Sequence, residues 1–297
     1  MDSTTPWMRF GALSAAALLA LTACGNGNDN GNGTDANGDD AGDGETLTIA
    51  LNGEEPYSWI DTETGEPTGA TIAIAEEIFG ERMGYDLQIE EEPTWGNLIP
   101  GLTNGHWDVV SAGMSINAER CAEAAFGEPE LVYTTALLVP EGNPEGVENF
   151  EDLQGTDLNV VAMSGAIEPG WLEELGIEHD TVDSPDDGID FVQGGRADVF
   201  ALTAISLETM AGDIDGLEVT DSFIHEFSVG AHAFRSGDED LVNEFNEHLA
   251  ELQDSGEYLE IVSEFGFTED EMPPSDLTAQ QLCEEDPAEL TEQYAQD

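Results

Sequence analysis

Trp107-Asp-Val-Val-Ser-Ala-Gly-Met-Ser-Ile-Asn-Ala-Glu-Arg-Cys121 joins a short apolar run to a nearly uncharged stretch that closes on an arginine. The first five residues predict a buried strand. In an open α/β sheet, whatever follows the carboxyl end of a strand faces the ligand crevice. The arginine is conspicuous because the 297-residue chain has five arginines and no lysine against 66 acidic residues, a formal net charge of −61. Its guanidinium is permanently charged, and its planar fork fits a carboxylate with two parallel hydrogen bonds. Arg120 therefore points either to a ligand carrying a carboxylate or to a structural ion pair with one of the many acids.

Outward from this stretch, residues 46–285 alternate short apolar runs with helical patterns, which reads as α/β. Leu47-Thr-Ile-Ala-Leu51 predicts a buried first strand. Residues 72–83 predict a helix with Ala75, Ile78, Phe79 and Met83 on one face. A second strand is expected over 85–90 and a helix over 97–103, where Pro100 is tolerable only near the start. A further set of units covers 158–219: strand Leu158-Asn-Val-Val-Ala162, a turn at Ser164-Gly165, a helix through Trp171, and strand Asp198-Val-Phe-Ala201. Apolar strands over 131–139 and 227–234 flank this block. From Asp238 onward, Leu241, Phe245, Leu249 and Leu252 share one helical face.

The simplest arrangement is two α/β lobes, the second inserted in the first, with two crossing strands as the hinge. Residues 46–135 and 231–285 then form lobe 1 and residues 136–230 lobe 2, while 286–297 reads as a frayed polar tail. Four loops that follow strands, at 52–59, 113–120, 164–168 and 202–203, are expected to meet in a cleft between the lobes.

Residues 1–23 read as a targeting segment, with Arg9 followed by an apolar run too short to span a bilayer comfortably. It ends Leu21-Thr-Ala-Cys-Gly25, which looks like a bacterial lipoprotein cleavage site with Cys24 as the lipidated residue. Residues 24–45 are almost entirely Gly, Asn, Asp and Thr, a composition that suits a flexible acidic linker. The expected location is the outer face of the cell membrane, with lipid contact at the N-terminus only. Loss of the first 23 residues removes Asp2 and Arg9 together and leaves the charge at −61. Such a surface excludes nucleic acid and anionic lipid as direct partners. It also suits a halophilic source, since the Debye length is about 3 Å in 1 M salt; a melting temperature indifferent to salt would refute that. Cys121 and Cys283 remain as an even pair in an oxidising compartment, either bridged or as buried thiols.

Ala112-Gly-Met-Ser-Ile-Asn-Ala-Glu-Arg-Cys121, preceded by residues 102–110, resembles the first-lobe signature of family 3 solute-binding proteins of ABC importers, and the similarity extends over 46–285. Within that family Trp95-Gly-Asn-Leu-Ile-Pro-Gly-Leu102, the Glu-Arg-Cys121 ending and residues 162–170 are most similar to ectoine/hydroxyectoine-binding receptors. The resemblance implies a type II periplasmic-binding fold. It also implies a small zwitterionic solute and membrane permease subunits as partners; a monomer is the expected state.

The roles it implies are specific. Arg120 would bind the ligand carboxylate, assisted by Gly113 and Ser115. Tyr57 and Trp95 would stack on a cationic ring. Glu54, ahead of its neighbour Glu55, would face the positive charge. Amides at Gly165 and Ala166 would open a helix toward the carboxylate. Thr203 stands where amino-acid receptors usually place an aspartate for the α-ammonium group, which suits a ligand without a primary amine. Ser115 departs from the ectoine pattern, where a third aromatic is usual; Trp59 or Phe200 is the expected substitute wall. A betaine or polar amino acid is the alternative ligand.

No chemistry is legible. His106, His179, His225, His232 and His248 lack metal-ligand spacing, Cys121 and Cys283 sit in no nucleophile motif, and no phosphate loop occurs. The expectation is a receptor without cofactor, metal or catalytic residues. A dehydratase-like enzyme on the same fold is the other class, and it would need a carboxylate or histidine with a shifted pKa in the cleft.

Overall fold

The computed structural model describes residues 44–295. The targeting segment, Cys24 and nearly all of the linker expected over 24–45 lie outside the described residues.

Strand β1 (Thr46–Leu51) leads into a small hairpin of β2 (Trp59–Ile60) and β3 (Pro67–Thr68). Helix Ala70–Ala75 continues as a π-helical segment, Glu76–Arg82, burying Ile72, Ile74, Ile78 and Phe79. It realises the helix expected over 72–83. Strand β4 (Asp86–Glu91) alternates half-buried and exposed residues, as suits a charged sheet edge. A 3₁₀ turn, Trp95–Asn97, precedes helix Leu98–Thr103, where Pro100 falls in the first turn and removes a donor that has no intrahelical partner. Strand β5 (Val109–Ser115) runs further than the expected 107–111. Its last residues pair with a later strand through Ser115 and Met114, a partner 115 residues away that no local pattern announces. The loop expected over 113–120 therefore begins only after Ser115.

Strand β6 (Ala124–Phe126) and the long strand β7 (Leu131–Pro140) lead into the second block of β8 (Val160–Met163), β9 (His179–Val182) and β10 (Val199–Thr203). Strand β11 (Leu217–Val219) and the thirteen-residue β12 (Phe223–Arg235) complete the sheet.

The sheet runs β4-β1-β5-β12-β7-β10-β8-β9. β4, β1 and β5 are mutually parallel, as are β10, β8 and β9. Between these blocks β7 and β12 run antiparallel to their neighbours and to each other. Each long strand serves both sides. β7 pairs β12 over Leu131–Thr135 but β10 over Thr135–Leu138, and β12 pairs β5 only from Gly230 onward. Continuous apolar sequence in β1 and β7 follows from burial on both sheet faces.

Helix Glu239–Ser255 buries Phe245, Leu249 and Leu252 on the first block, and Gly256 in the left-handed region separates it from helix Glu257–Ser263. The tail expected to fray is instead a packed helix, Pro287–Tyr294. Asp286 caps it, Pro287 fits its first turn, Leu290 is buried, and Tyr294 stacks on Phe227 at 5.4 Å. A disulfide joins Cys121 to Cys283, tying the short helix Ala118–Cys121 to helix Ala279–Glu284.

Candidate functional site

The loops expected to converge do so around one inner cavity of about 20 Å³, a water-sized space. Its wall includes Glu54, Tyr57, Trp95, Gly113, Ser115, Arg120, Ala166 and Thr203. An outer chamber of about 500 Å³ adjoins it and shares Trp95, Ser115, Arg120 and Ala166.

Arg120 sits in the four-residue helix Ala118–Cys121, whose start is fixed by Asn117: its side-chain oxygen accepts the Arg120 amide at 2.9 Å. The side chain is 8 % exposed. Nη1 donates to the Ser115 carbonyl at 2.8 Å and Nη2 to the Gly165 carbonyl at 2.9 Å. The guanidinium carbon lies 5.8 Å from the Trp95 ring, so that ring meets the protein's own cation. Burial lowers the guanidinium pKa to about 10, partly offset by the Glu168 charge, and it stays fully cationic at neutral pH.

The turn at Gly165 differs from the expected pair of amides opening a helix. Gly165 holds φ at +80°, and its carbonyl accepts from Arg120 and from the Trp95 indole at 3.1 Å. The Ala166 amide donates to Met163 within the turn, and the helix begins at Glu168. The hydrogen bonds from Arg120 and Trp95 to Gly165 join the first block to the second.

On the same cavity, a tight turn after β1 presents Glu54: its carbonyl accepts the Tyr57 and Ser58 amides. Glu54 Oε1 accepts from Ser206 Oγ at 2.7 Å and lies 3.0 Å from Thr203 Oγ1, which is also 2.8 Å from Ser206 Oγ. One threonine proton can serve only one of these acceptors. Burial raises the Glu54 pKa, opposed by the hydroxyls of Ser206 and Thr203. Glu55 is half-buried beside Asp186 and Asp61, and does not line the cavity.

Neither residue expected as a third aromatic wall lines the cavity. Trp59 packs edge-on against Phe265, and Phe200 lies in the core beneath Gly188. Tyr133 from β7 does line the cavity: its ring is edge-on to Tyr57 at 5.3 Å, and its hydroxyl donates to the Gly113 carbonyl at 2.6 Å. Gly113 is required there. Its φ is +61°, and a Cβ would stand 2.7 Å from the Tyr57 ring and 2.9 Å from the Tyr133 oxygen. Ser115 Oγ accepts from Ser228 Oγ at 3.0 Å, pinning β5 to β12.

Sequence reasoning also missed Glu168, which is 2 % exposed on the cavity wall. Burial raises its pKa to about 7, helped by the Glu54 charge and opposed by Arg120 and by the backbone N–H groups of Glu168 and Ile167. Among 66 acids nothing local marks this one. Among the described residues no group of three or more His, Cys, Asp or Glu could hold a metal ion. No helix among them is long and apolar enough to cross a membrane.

With this geometry established, residues 47–268 match the family model of bacterial extracellular solute-binding proteins, family 3. A probable amino-acid ABC transporter periplasmic-binding protein of Sinorhizobium fredii, y4tE, is 30 % identical over 252 residues, covering 80 % of this chain and 82 % of its own. The arginine-binding extracellular protein ArtP of Bacillus subtilis is 25 % identical over 252 residues, covering 82 % of this chain and 92 % of its own. A crystal structure of EhuB in complex with hydroxyectoine superposes with a TM-score of 0.74 at 29 % identity, covering 81 % of this chain and 95 % of that one.

Proposed function

The chain belongs to the bacterial extracellular solute-binding proteins of family 3, the receptors that pass small solutes to the permease of an ABC amino-acid-type uptake system, and from that premise we propose that it captures a small zwitterion whose cation is delocalised, with ectoine or hydroxyectoine as the best fit. The observation that carries this reading is a single cavity lined by a buried guanidinium, Arg120, and by the buried carboxyls Glu54 and Glu168, with Tyr57, Trp95 and Tyr133 in its walls. Opposite charges at the two ends suit a solute that is neutral overall. Aromatic faces between them suit a flat cation, each contact worth about 0.5–2 kcal/mol when desolvated. Thr203, already engaged with Glu54 and Ser206, offers no charge to an α-ammonium group.

In this reading the solute's carboxylate displaces the Gly165 carbonyl from Arg120, with Gly113 and Ser115 beside it, while Glu54 meets the positive end. Opening at the crossing strands β7 and β12 admits the solute, and closure brings the Gly165 turn back over it, with the Trp95 indole still donating to the Gly165 carbonyl. The lobes divide near residues 135 and 230. The receptor is a monomer tethered outside the cell through a lipid on Cys24 and the linker up to residue 45, in a salt-rich setting.

The test is isothermal calorimetry and thermal shift in high salt with ectoine, hydroxyectoine, glycine betaine, glutamine and arginine. Micromolar or tighter binding of ectoine supports the reading. Binding of glutamine or arginine without ectoine replaces it with a polar amino-acid receptor. Glu168 is a cleft carboxyl with a raised pKa, the feature a dehydratase-like enzyme needs, so the same solutes are followed for turnover. Consumption of any of them would move the chain to that class.

A further inference from the structure

The inner cavity brings together two carboxyl groups, Glu54 and Glu168, and one guanidinium, Arg120. Its two phenols, Tyr57 and Tyr133, are held neutral, because burial raises both well above their usual range. Glu54 takes hydroxyl donors from Ser206 and Thr203, while the Glu168 carboxyl is met by the backbone N–H groups of its own residue and of Ile167. Arg120 hydrogen-bonds carbonyls through both terminal nitrogens, so Glu168 acts on it through space. With both acids ionised, the three groups sum to one negative charge. With one protonated they sum to zero.

A bound zwitterion leaves that sum unchanged, and its carboxylate must share the Arg120 field with Glu168. A solute carrying two positive centres and one carboxylate instead cancels the extra charge. We infer that Glu168 is the specificity-determining residue for solute net charge: as a neutral acid it admits a zwitterion to Arg120, and as a carboxylate it favours a net cation. This rests on the reading of the cavity as a solute site. Burial raises the Glu168 pKa to about 7, so both forms are populated at ordinary pH. The charged groups facing it are Glu54 from the loop after β1, which disfavours the carboxylate, and Arg120 from helix Ala118–Cys121, which favours it.

The signs follow by linkage. A zwitterion prefers protonated Glu168, so its binding takes up a proton, and its affinity falls by up to about tenfold per pH unit above pH 7. A net cation prefers ionised Glu168 and binds more tightly as pH rises. The experiment is calorimetry of the whole mature protein between pH 6 and 8.5, with ectoine and L-arginine as probes. Repeating it in buffers of different ionisation enthalpy counts the protons exchanged in the wild type, independently of any variant. Glu168→Gln should flatten both pH profiles, remove the proton uptake, and bind ectoine about tenfold more tightly than wild type at pH 8. Wild-type binding without proton exchange, or the same pH slope in Glu168→Gln, overturns the inference. A slope that survives in Glu168→Gln and vanishes in Glu54→Gln would assign the proton to Glu54 and also overturn it. Failure of every solute at every pH instead overturns the receptor reading on which it rests.

Discussion

Replacing Arg120 with alanine separates a ligand clamp from a structural staple. The substitution deletes a side chain 8 % exposed and removes the donor at 2.8 Å from the Ser115 carbonyl. The Gly165 carbonyl loses one donor and keeps the Trp95 indole. Hydrogen bonds from a charged donor contribute about 1.5–3 kcal/mol each. Against that loss stands relief of a buried charge. The fall of the guanidinium pKa from 12.5 to about 10 corresponds to roughly 3–4 kcal/mol at about 1.4 kcal/mol per unit. The two contributions nearly offset, so the variant should fold with a melting temperature close to wild type.

Binding has no such offset. A solute carboxylate brought into this cavity is stripped of water and meets no other cation. Removal of one partner of such a pair costs about 2–5 kcal/mol, which is about thirty-fold to several-thousand-fold in Kd. Arg120→Lys should recover only part of this, since an ammonium cannot reproduce a fork whose terminal nitrogens serve two carbonyls 50 residues apart in sequence. Calorimetry with whichever solute binds wild type, beside a thermal melt, reads both quantities. An affinity within threefold of wild type for Arg120→Ala, with the fold intact, would refute the clamp.

Glu168 also makes stability depend on pH. Its folded pKa lies above the ordinary value of 4.5, so the folded state holds the proton more tightly. Stability is therefore full below about 4.5 and falls as pH rises to about 7, by roughly 3 kcal/mol. Denaturant melts at pH 5 and pH 8 should show a shallower fall for Glu168→Gln, and equal falls would contradict the assignment. Reducing the Cys121–Cys283 bridge, which closes a separation of 162 residues, should cost about 5 kcal/mol on the chain-entropy account. It should also weaken solute binding by freeing the helix that carries Arg120; melts and titrations with and without reductant test both effects. Gly113→Ala introduces a Cβ 2.7 Å from the Tyr57 ring at φ +61°, which should cost more than about 1 kcal/mol and at least tenfold in affinity. A variant that binds like wild type would remove Tyr57 and Tyr133 from the site.

The parts of this fold legible in sequence are those whose burial is complete or strictly one-sided. β1 and β7 read as strands because they are apolar nearly throughout, and helix Glu239–Ser255 read as a helix because Phe245, Leu249 and Leu252 recur on one face. β9, His-Asp-Thr-Val, did not, because it lies at the sheet edge with only Val182 buried. The extension of β5 through Ser115 is imposed by β12, and local sequence carries no trace of that pairing. The same distinction holds at the site. Arg120 was visible because cations are scarce. Tyr133 was hidden in a strand where aromatics ordinarily pack, and Glu168 was one acid among many until its burial set it apart. The direction of the Gly165 carbonyl is a property of one peptide plane, which residue identity does not fix.

The four described arginines show how such a chain uses its cations. Arg82 bonds Glu77, Glu251 and Glu257, joining the π-helical segment Glu76–Arg82 to the two helices after β12. Arg235 bridges Asp108 and Asp238, and exposed Arg196 lies 4.0 Å over the Phe191 ring. Two of these are ion-paired staples near the surface, where one acid or another is always within reach. Arg120 differs on both counts, being buried and hydrogen-bonded to carbonyls rather than to a carboxylate. In a sequence this rich in acids, a structural role for that guanidinium would be met more cheaply by an acid placed against it. Burial with hydrogen bonds to neutral carbonyls, and with Glu168 acting only through space, at the cost visible in its lowered pKa, leaves the guanidinium without a bonded carboxylate and open to an incoming one. That availability, more than the scarcity of arginine, is the ground for proposing position 120 as a binding residue.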